Sequence, residues 1–276
     1  MKLDAHQHFW KYNPKEYSWI KDDMSILRRD YLPDDLYKEL SKNDINGSIV
    51  VQARQNIEES RWLIQLAEEN HFIKGVVGWV DLCSSYVESQ LEEFSSNPKF
   101  VGVRHVVQDE PDNYFMMRAD FQHGLSLLSK YNLTYDLLIF PQHLEVAIEL
   151  VKKFPDQKFV LDHIAKPDIK NKLYHPWNDY IKQLSKFQNV YCKLSGMVTE
   201  ANWHHWNNDD FKYYIDHTFE CFGIDRIMFG SDWPVCLLSA TYNEVFSIIN
   251  SYVKDFNIEE KAKIFGWNCA NFYNII

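Results

Sequence analysis

KLDAHQHFWKYNP (residues 2–14) is the stretch that decides the fold. Its first five residues read as a short β-strand. The residues that follow, QHFWKYNP, contain no glycine. A doubly wound open sheet usually carries a glycine-rich phosphate turn after its first strand, so this opening speaks against that architecture. It also places His6 and His8 two residues apart, where alternate residues of a strand point to one face.

Seven further apolar runs follow: GSIVVQA (47–53), IKGVVGWVDL (73–82), FVGVRHVV (100–107), LTYDLLIF (133–140), KFVLDHIA (158–165), NVYCKLSG (189–196) and DRIMFGSDW (225–233). Most are continuously apolar, as strands covered on both faces are. Between them lie stretches with helical periodicity, at 57–70, 84–96, 118–131, 143–154 and 177–187. Repeated βα units at steps of about 24 to 37 residues fit parallel strands joined by crossover helices. Eight such units predict an α/β fold, a (β/α)8 TIM barrel forming a single domain over residues 1–276. The longest connection, residues 9–46, holds YSWI, RRDYLP and a helical PDDLYKELSKN, and is expected to form a lid or pocket wall.

The composition is that of a globular chain, with 46% hydrophobic and 25% charged residues among 276. A formal net charge of −10 and the lack of a basic run argue against a nucleic-acid partner. Five cysteines, an odd number with no CxxC pair, point to a reducing compartment rather than a disulfide framework. No apolar run approaches the eighteen or so residues of a membrane span. A cytoplasmic protein with no membrane partner is expected; oligomeric state is not legible.

In a barrel, the C-terminal ends of the strands carry the active site. Four strand ends here are polar where a plain core strand would not be. His6 and His8 project together from the first strand, with Asp4 expected below them. The sixth offers Asp162, His163 and Lys166, the seventh Lys193 and Ser195, the eighth Ser231 and Asp232. Any one cluster could be an ordinary cap or turn, but four at four strand ends make that reading weak. On the fourth strand Arg104 and His105 are adjacent, so one faces inward and the other outward. The sequence leaves open which.

DAHQHFW, LDHIAKP and GSDWP, in this order on strands one, six and eight, resemble the amidohydrolase superfamily. YSWI, VVQA, VGWVDL, GVRHVV, CKLSG and GWNCANFY extend the resemblance over nearly the whole chain. They narrow it to the amidohydrolase-2 branch of sugar and aromatic lactonases, most of all the L-fucono- and L-rhamnono-lactonases. The resemblance implies a barrel enzyme that hydrolyses a small-molecule cyclic ester, with His6, His8, His163 and Asp232 at the family's ligand positions. VGVRHVV and LTYDLLIF offer no bridging lysine, so at most one divalent metal is expected, zinc foremost, and a metal-independent reaction is compatible with the pattern.

Opening a lactone needs an activated water, an electrophile for the carbonyl oxygen and a proton for the leaving alkoxide. Asp232 is the expected general base. His6, His8 and His163 would hold one metal or donate hydrogen bonds. Arg104, His105 and Lys193 are the candidates for binding carbonyl and hydroxyl oxygens. Trp10, Trp19 and Trp233 are candidates for stacking on a sugar ring, with wall or core packing an equal alternative. The competing expectation is a metal-dependent decarboxylase of an aromatic acid on the same barrel.

Overall fold

The computed structural model describes residues 1–275; Ile276, the last residue of the expected barrel, lies outside the described residues. Eight strands run parallel in sequence order: β1 (Leu3–Gln7), β2 (Gly47–Val51), β3 (Ile73–Gly78), β4 (Phe100–His105), β5 (Thr134–Leu137), β6 (Phe159–Leu161), β7 (Val190–Leu194) and β8 (Ile227–Phe229). The seam between β1 and β8 is closed beyond the end of β8. There His8 N donates to Trp233 O at 2.7 Å and Asp232 N to His6 O at 2.9 Å. The same hydrogen bonds fix the positions of four expected site residues, His6, His8, Asp232 and Trp233.

Helices alternate with the strands, as the spacing predicts: α1 (Pro33–Lys42), α2 (Ile57–Glu69), α3 (Val87–Ser95), α4 (Ala119–Leu127), α5 (Leu144–Lys153), α6 (Trp177–Leu184), a one-turn α7 (Met197–Glu200), α8 (Asn208–Phe222), α9 (Tyr242–Tyr252), α10 (Ile258–Ala262) and α11 (Asn268–Phe272). A π-helical turn, Lys263–Trp267, joins α10 to α11. The stretch read as helical over 118–131 is α4 followed by a 3₁₀ turn at Leu128–Tyr131. None of the described helices is long and apolar enough to cross a membrane.

The core has two parts. Leu3, Ala5, Ile49, Val51, Val77, Val101, Val160 and Met228 fill the barrel interior, closed below by Cys269, Phe272 and Tyr273. A larger cluster packs the helices and the 9–46 segment around the outside.

Bulges in β1, β3 and β4 reset the inward–outward alternation, since one extra residue moves every later side chain to the other face; those in β1 and β4 place site residues. Between Asp4 and Gln7, β1 carries one residue more than β2 opposite Ser48–Val50. Leu3 and Ala5 therefore face inward below the bulge and His6 above it. Asp4, expected beneath the histidines, faces outward instead. Its carboxylate accepts from Ser231 N at 2.9 Å and from Tyr242 OH of α9 at 3.0 Å. Burial pushes this carboxyl up to about 6, the hydrogen bonds offsetting part of the cost. In β4 the extra residue is Val101, since Val76 pairs with Phe100 but Val77 with Gly102. Val101 is inward, Val103 packs outward, and Arg104 returns to the interior.

Candidate active site

A cavity of about 900 Å³ opens at the C-terminal ends of the strands. The 9–46 segment supplies one wall through Glu16, Trp19, Lys21 and Met24, as expected of a lid. This segment is tied down at its base. Trp10 and Tyr31 pair by backbone hydrogen bonds, and the Trp10 indole donates to Arg29 O at 2.9 Å.

The floor is built from β1, β6 and β8. His8 Nδ1 donates to Val51 O at 2.7 Å, which leaves its Nε2 as a lone pair. That nitrogen stands 3.3 Å from Asp232 Oδ1 and 3.2 Å from His6 Nε2. His6 Nδ1 lies 3.2 Å from Asp162 Oδ1, while Arg104 Nη1 stands 3.2 Å from His6 Nε2. Lys193 Nζ also stands 3.2 Å from His6 Nδ1; because Arg104 can only donate, Nε2 is the acceptor, and the proton of the neutral ring is placed on Nδ1 toward Asp162. His163 Nε2 is 3.9 Å from Asp232 Oδ1, with its Nδ1 hydrogen-bonded to Ser195 Oγ at 2.8 Å.

Electrostatics follow from this packing. Burial would push the Asp232 carboxyl up, but His163, His8 and His6 together outweigh it and hold the group well below the usual carboxylate range. Burial pushes His163 down to about 4, against the pull of Asp232, and takes His6 well below its ordinary value. The floor is therefore a carboxylate ringed by imidazoles, with His6 and His163 held at low basicity by burial.

Below the floor lies a balanced cluster of buried charges. Lys193 Nζ meets Asp136 Oδ2 at 2.5 Å and Asp162 Oδ1 at 3.0 Å. Arg104 Nη1 donates to Asp162 Oδ2 at 3.1 Å, Arg104 Nη2 to Gln52 O, and Tyr273 OH to Asp136 at 2.9 Å. Two cations thus answer two anions where water does not reach. Burial opposes the Lys193 charge, but Asp136 and Asp162 hold its ammonium above the usual lysine value.

His163 occupies an unusual stretch of backbone. Residues His163, Ile164, Ala165 and Lys166 all have positive φ, between 49° and 59°, where the sequence suggests a strand running on. A left-handed turn costs roughly 1–2 kcal/mol per residue and persists only where its surroundings impose it. The Trp177 indole helps to do so, donating to Ile164 O at 2.7 Å. The turn carries both His163 and Lys166 onto the cavity wall.

The expected site residues divide accordingly. His6, His8, His163 and Asp232 converge, and Arg104 joins them. Trp19 lines the cavity. His105 does not: it faces outward, stacked on Phe115 at 4.7 Å and bonded to Glu110 at 2.6 Å. Lys193 is fully buried beneath the floor rather than on the wall. Trp10 and Trp233 pack in the core, Trp233 edge-on to Tyr31 at 5.2 Å. Of the three tryptophans only Trp19 can meet a ligand. Other wall residues were not singled out: Gln55, Asn56 and Gln108, and beyond β7 Thr199, Glu200 and Trp203. Reading polar residues a few positions past each strand end would have found the last three.

Among metal-ligating groups, His6, His8 and Asp232 each place one ligand atom within 4.8 Å of the others. His6, Asp162 and His163 form a second such group. Two imidazole nitrogens and a carboxylate converging in this way suit a divalent ion such as zinc, which would take the His6 Nε2 lone pair in place of Arg104. The Nδ1 protons on Val51 O and Asp162 orient both rings for it.

Residues 3–275 match the Amidohydro_2 family model, described as amidohydrolase. The chain belongs to the amidohydrolase family. This amidohydrolase is 36% identical to an L-fucono-1,5-lactonase of Burkholderia multivorans, over 99% of this chain and 96% of that one. It is 30% identical to an L-fucono-1,5-lactonase of Burkholderia ambifaria, with the same coverage. The crystal structure of a Burkholderia multivorans amidohydrolase with bound zinc superimposes with a TM-score of 0.95 at 35% identity, covering 99% of each chain.

Proposed function

We propose that this amidohydrolase is a lactonase that opens a sugar-acid lactone, of the L-fucono- or L-rhamnono-lactone type, to the free aldonic acid. The observation that carries the mechanism is the ionised Asp232 carboxylate at the cavity floor, 3.3 to 3.9 Å from three imidazoles. The likeness to two L-fucono-1,5-lactonases over nearly the full chain supports the substrate class.

Asp232 accepts a proton from a water as its oxygen attacks the lactone carbonyl. Charge develops on the carbonyl oxygen, and the imidazole of His163, a cavity-lining group, stabilises it. A divalent ion held by His6, His8 and Asp232 would supply Lewis-acid polarisation and a more acidic water.

The walls favour an uncharged, polyhydroxylated ligand. Gln55, Asn56 and Gln108 offer amides to hydroxyl groups, while Trp19, Trp203, Val235 and Leu238 offer apolar surface. Two of the cations at the wall are already committed: Arg54 to Glu16 and Glu59, and Arg104 to Asp162. A dicarboxylate usually wants several free arginines.

A pH-indicator screen against aldonolactones, aromatic dicarboxylate lactones and aromatic acids tests this reading. Acid release from L-fucono-1,5-lactone or a near relative is the expected result. Turnover confined to dicarboxylate lactones, or carbon dioxide release from an aromatic acid in place of lactone opening, would overturn it.

A further inference from the structure

One requirement of lactone opening has no separate residue at the floor. The leaving group is the ring alkoxide, a strong base that must be protonated as the acyl–oxygen bond breaks. Asp232 is ionised at the start and comes to hold only the proton of the attacking water, and His163 and His6 are of low basicity, so none of these three enters the reaction already carrying a proton for the ring oxygen.

Glu200 can bring one. It ends the single turn of α7, just beyond β7, and lines the cavity together with Asp232, His163 and Lys166. It is partly buried, and its carboxyl group has no hydrogen-bond or ion-pair partner among the described residues; only its backbone oxygen is engaged, by Lys170 N at 2.9 Å. Asp232 and Asp162 at the floor have partners, whereas this carboxyl has none among the described residues, and Glu200 lines both this cavity and a smaller neighbouring one. Lys166 likewise has no carboxylate partner, its ammonium lying 5.5 Å from the Phe140 ring centroid.

We propose that Glu200 is a catalytic residue of this enzyme, the general acid that protonates the departing ring oxygen. The inference rests on the lactonase reading above. The step balances. The water oxygen bonds to the carbonyl carbon and its proton goes to Asp232. The acyl–oxygen bond breaks, its electron pair stays on the ring oxygen, and that oxygen takes the Glu200 proton. The new carboxylic acid loses its proton to solvent, and the proton on Asp232 returns to Glu200 through solvent. The group is suited to the task near neutrality. Burial pushes its carboxyl up to about 7, Asp232 and Asp168 pushing the same way and Lys166 against them.

The test compares wild type with Glu200→Gln on the best aldonolactone across pH. Wild-type kcat is expected to fall as pH rises through about 7, as Glu200 loses its proton. Glu200→Gln should lose roughly 100-fold or more in kcat with KM little changed, and should no longer show that fall. A near-native kcat, a loss confined to KM, or an unchanged alkaline fall would each overturn the proposal. Carboxyl ¹³C NMR of glutamate-labelled wild type, with Glu200→Gln to assign the signal, gives a readout independent of turnover. A midpoint near 7 is expected, and one near the ordinary glutamate value overturns the proposal. A wild type that opens no sugar lactone fails the lactonase reading itself, and this inference with it.

Discussion

A methyl group added at Gly196 would stand 2.6 Å from Nδ1 and 2.7 Å from Cγ of the His163 imidazole. Gly196 also has φ of +63°, in the left-handed region that favours glycine. Its bare backbone is the surface against which the His163 imidazole rests. Gly196→Ala is therefore expected to cost roughly 1–2 kcal/mol in stability and to displace His163, lowering kcat by about a hundredfold for a shift near 1 Å. Thermal melts and steady-state kinetics check both. Native kcat in a folded variant would show that the position of His163 is not critical.

Asp232→Asn keeps the shape of the side chain but cannot take a proton. The backbone hydrogen bond from Asp232 N to His6 O is untouched, so the barrel seam should stay closed. A loss of at least about a hundredfold in kcat is expected, with circular dichroism and melting close to wild type. Substantial residual turnover would remove Asp232 from the role of base.

Lys193→Met should be far more damaging than an exposed lysine loss. The change leaves Asp136 and Asp162 answered by Arg104 alone, in a region with no exposure to water. Breaking a buried pair by removing one partner costs about 3–5 kcal/mol. Adding Asp136→Asn to Lys193→Met should restore part of that loss, since the charge count is again balanced. Urea denaturation of the single and double variants measures the difference, and equal stabilities would deny the coupling.

The protein should take up at most one equivalent of zinc, and His8→Ala should weaken that uptake. His6, His8 and Asp232 meet in one group, and no lysine on β4 or β5 is placed to bridge a second ion. Binding to the folded state alone stabilises by about 2.7 kcal/mol at a hundredfold excess over Kd. Zinc should thus raise the melting temperature of wild type and not that of His8→Ala. Elemental analysis gives the stoichiometry; two tightly held equivalents would contradict the single site.

Stability should also report on Glu200. A carboxyl pushed up to about 7 in the folded protein, from an ordinary value of 4.5, binds more protons folded than unfolded between those values. Its contribution is present below pH 4.5 and is lost as pH rises through 7. Glu200→Gln should gain in melting temperature relative to wild type over that interval and run parallel to it outside. A constant difference across pH would show an unperturbed glutamate.

The alternation of apolar runs with helical stretches was enough to specify eight parallel strands, because a strand covered on both faces must be apolar throughout and the crossover sets the spacing. Polar strand ends likewise singled out His6, His8, His163 and Asp232, which converge at the cavity floor. What the sequence could not determine is orientation wherever a bulge intervenes. The pleat alternates by a local rule, but the extra residues in β1 and β4 are defined by hydrogen bonds to neighbouring strands. Those bonds turned Asp4 outward and resolved Arg104 inward and His105 outward. Depth was also decided by packing: Lys193 sits beneath the floor because Asp136 and Asp162, from two other strands, are there to receive its charge, and Trp10 and Trp233 are core because the 9–46 segment folds over them. Glu200 joined the site by the same kind of distant event. Nothing local to GMVTE marks an acid without a partner; only the closing of the barrel brings that single turn to the cavity that Asp232 also lines.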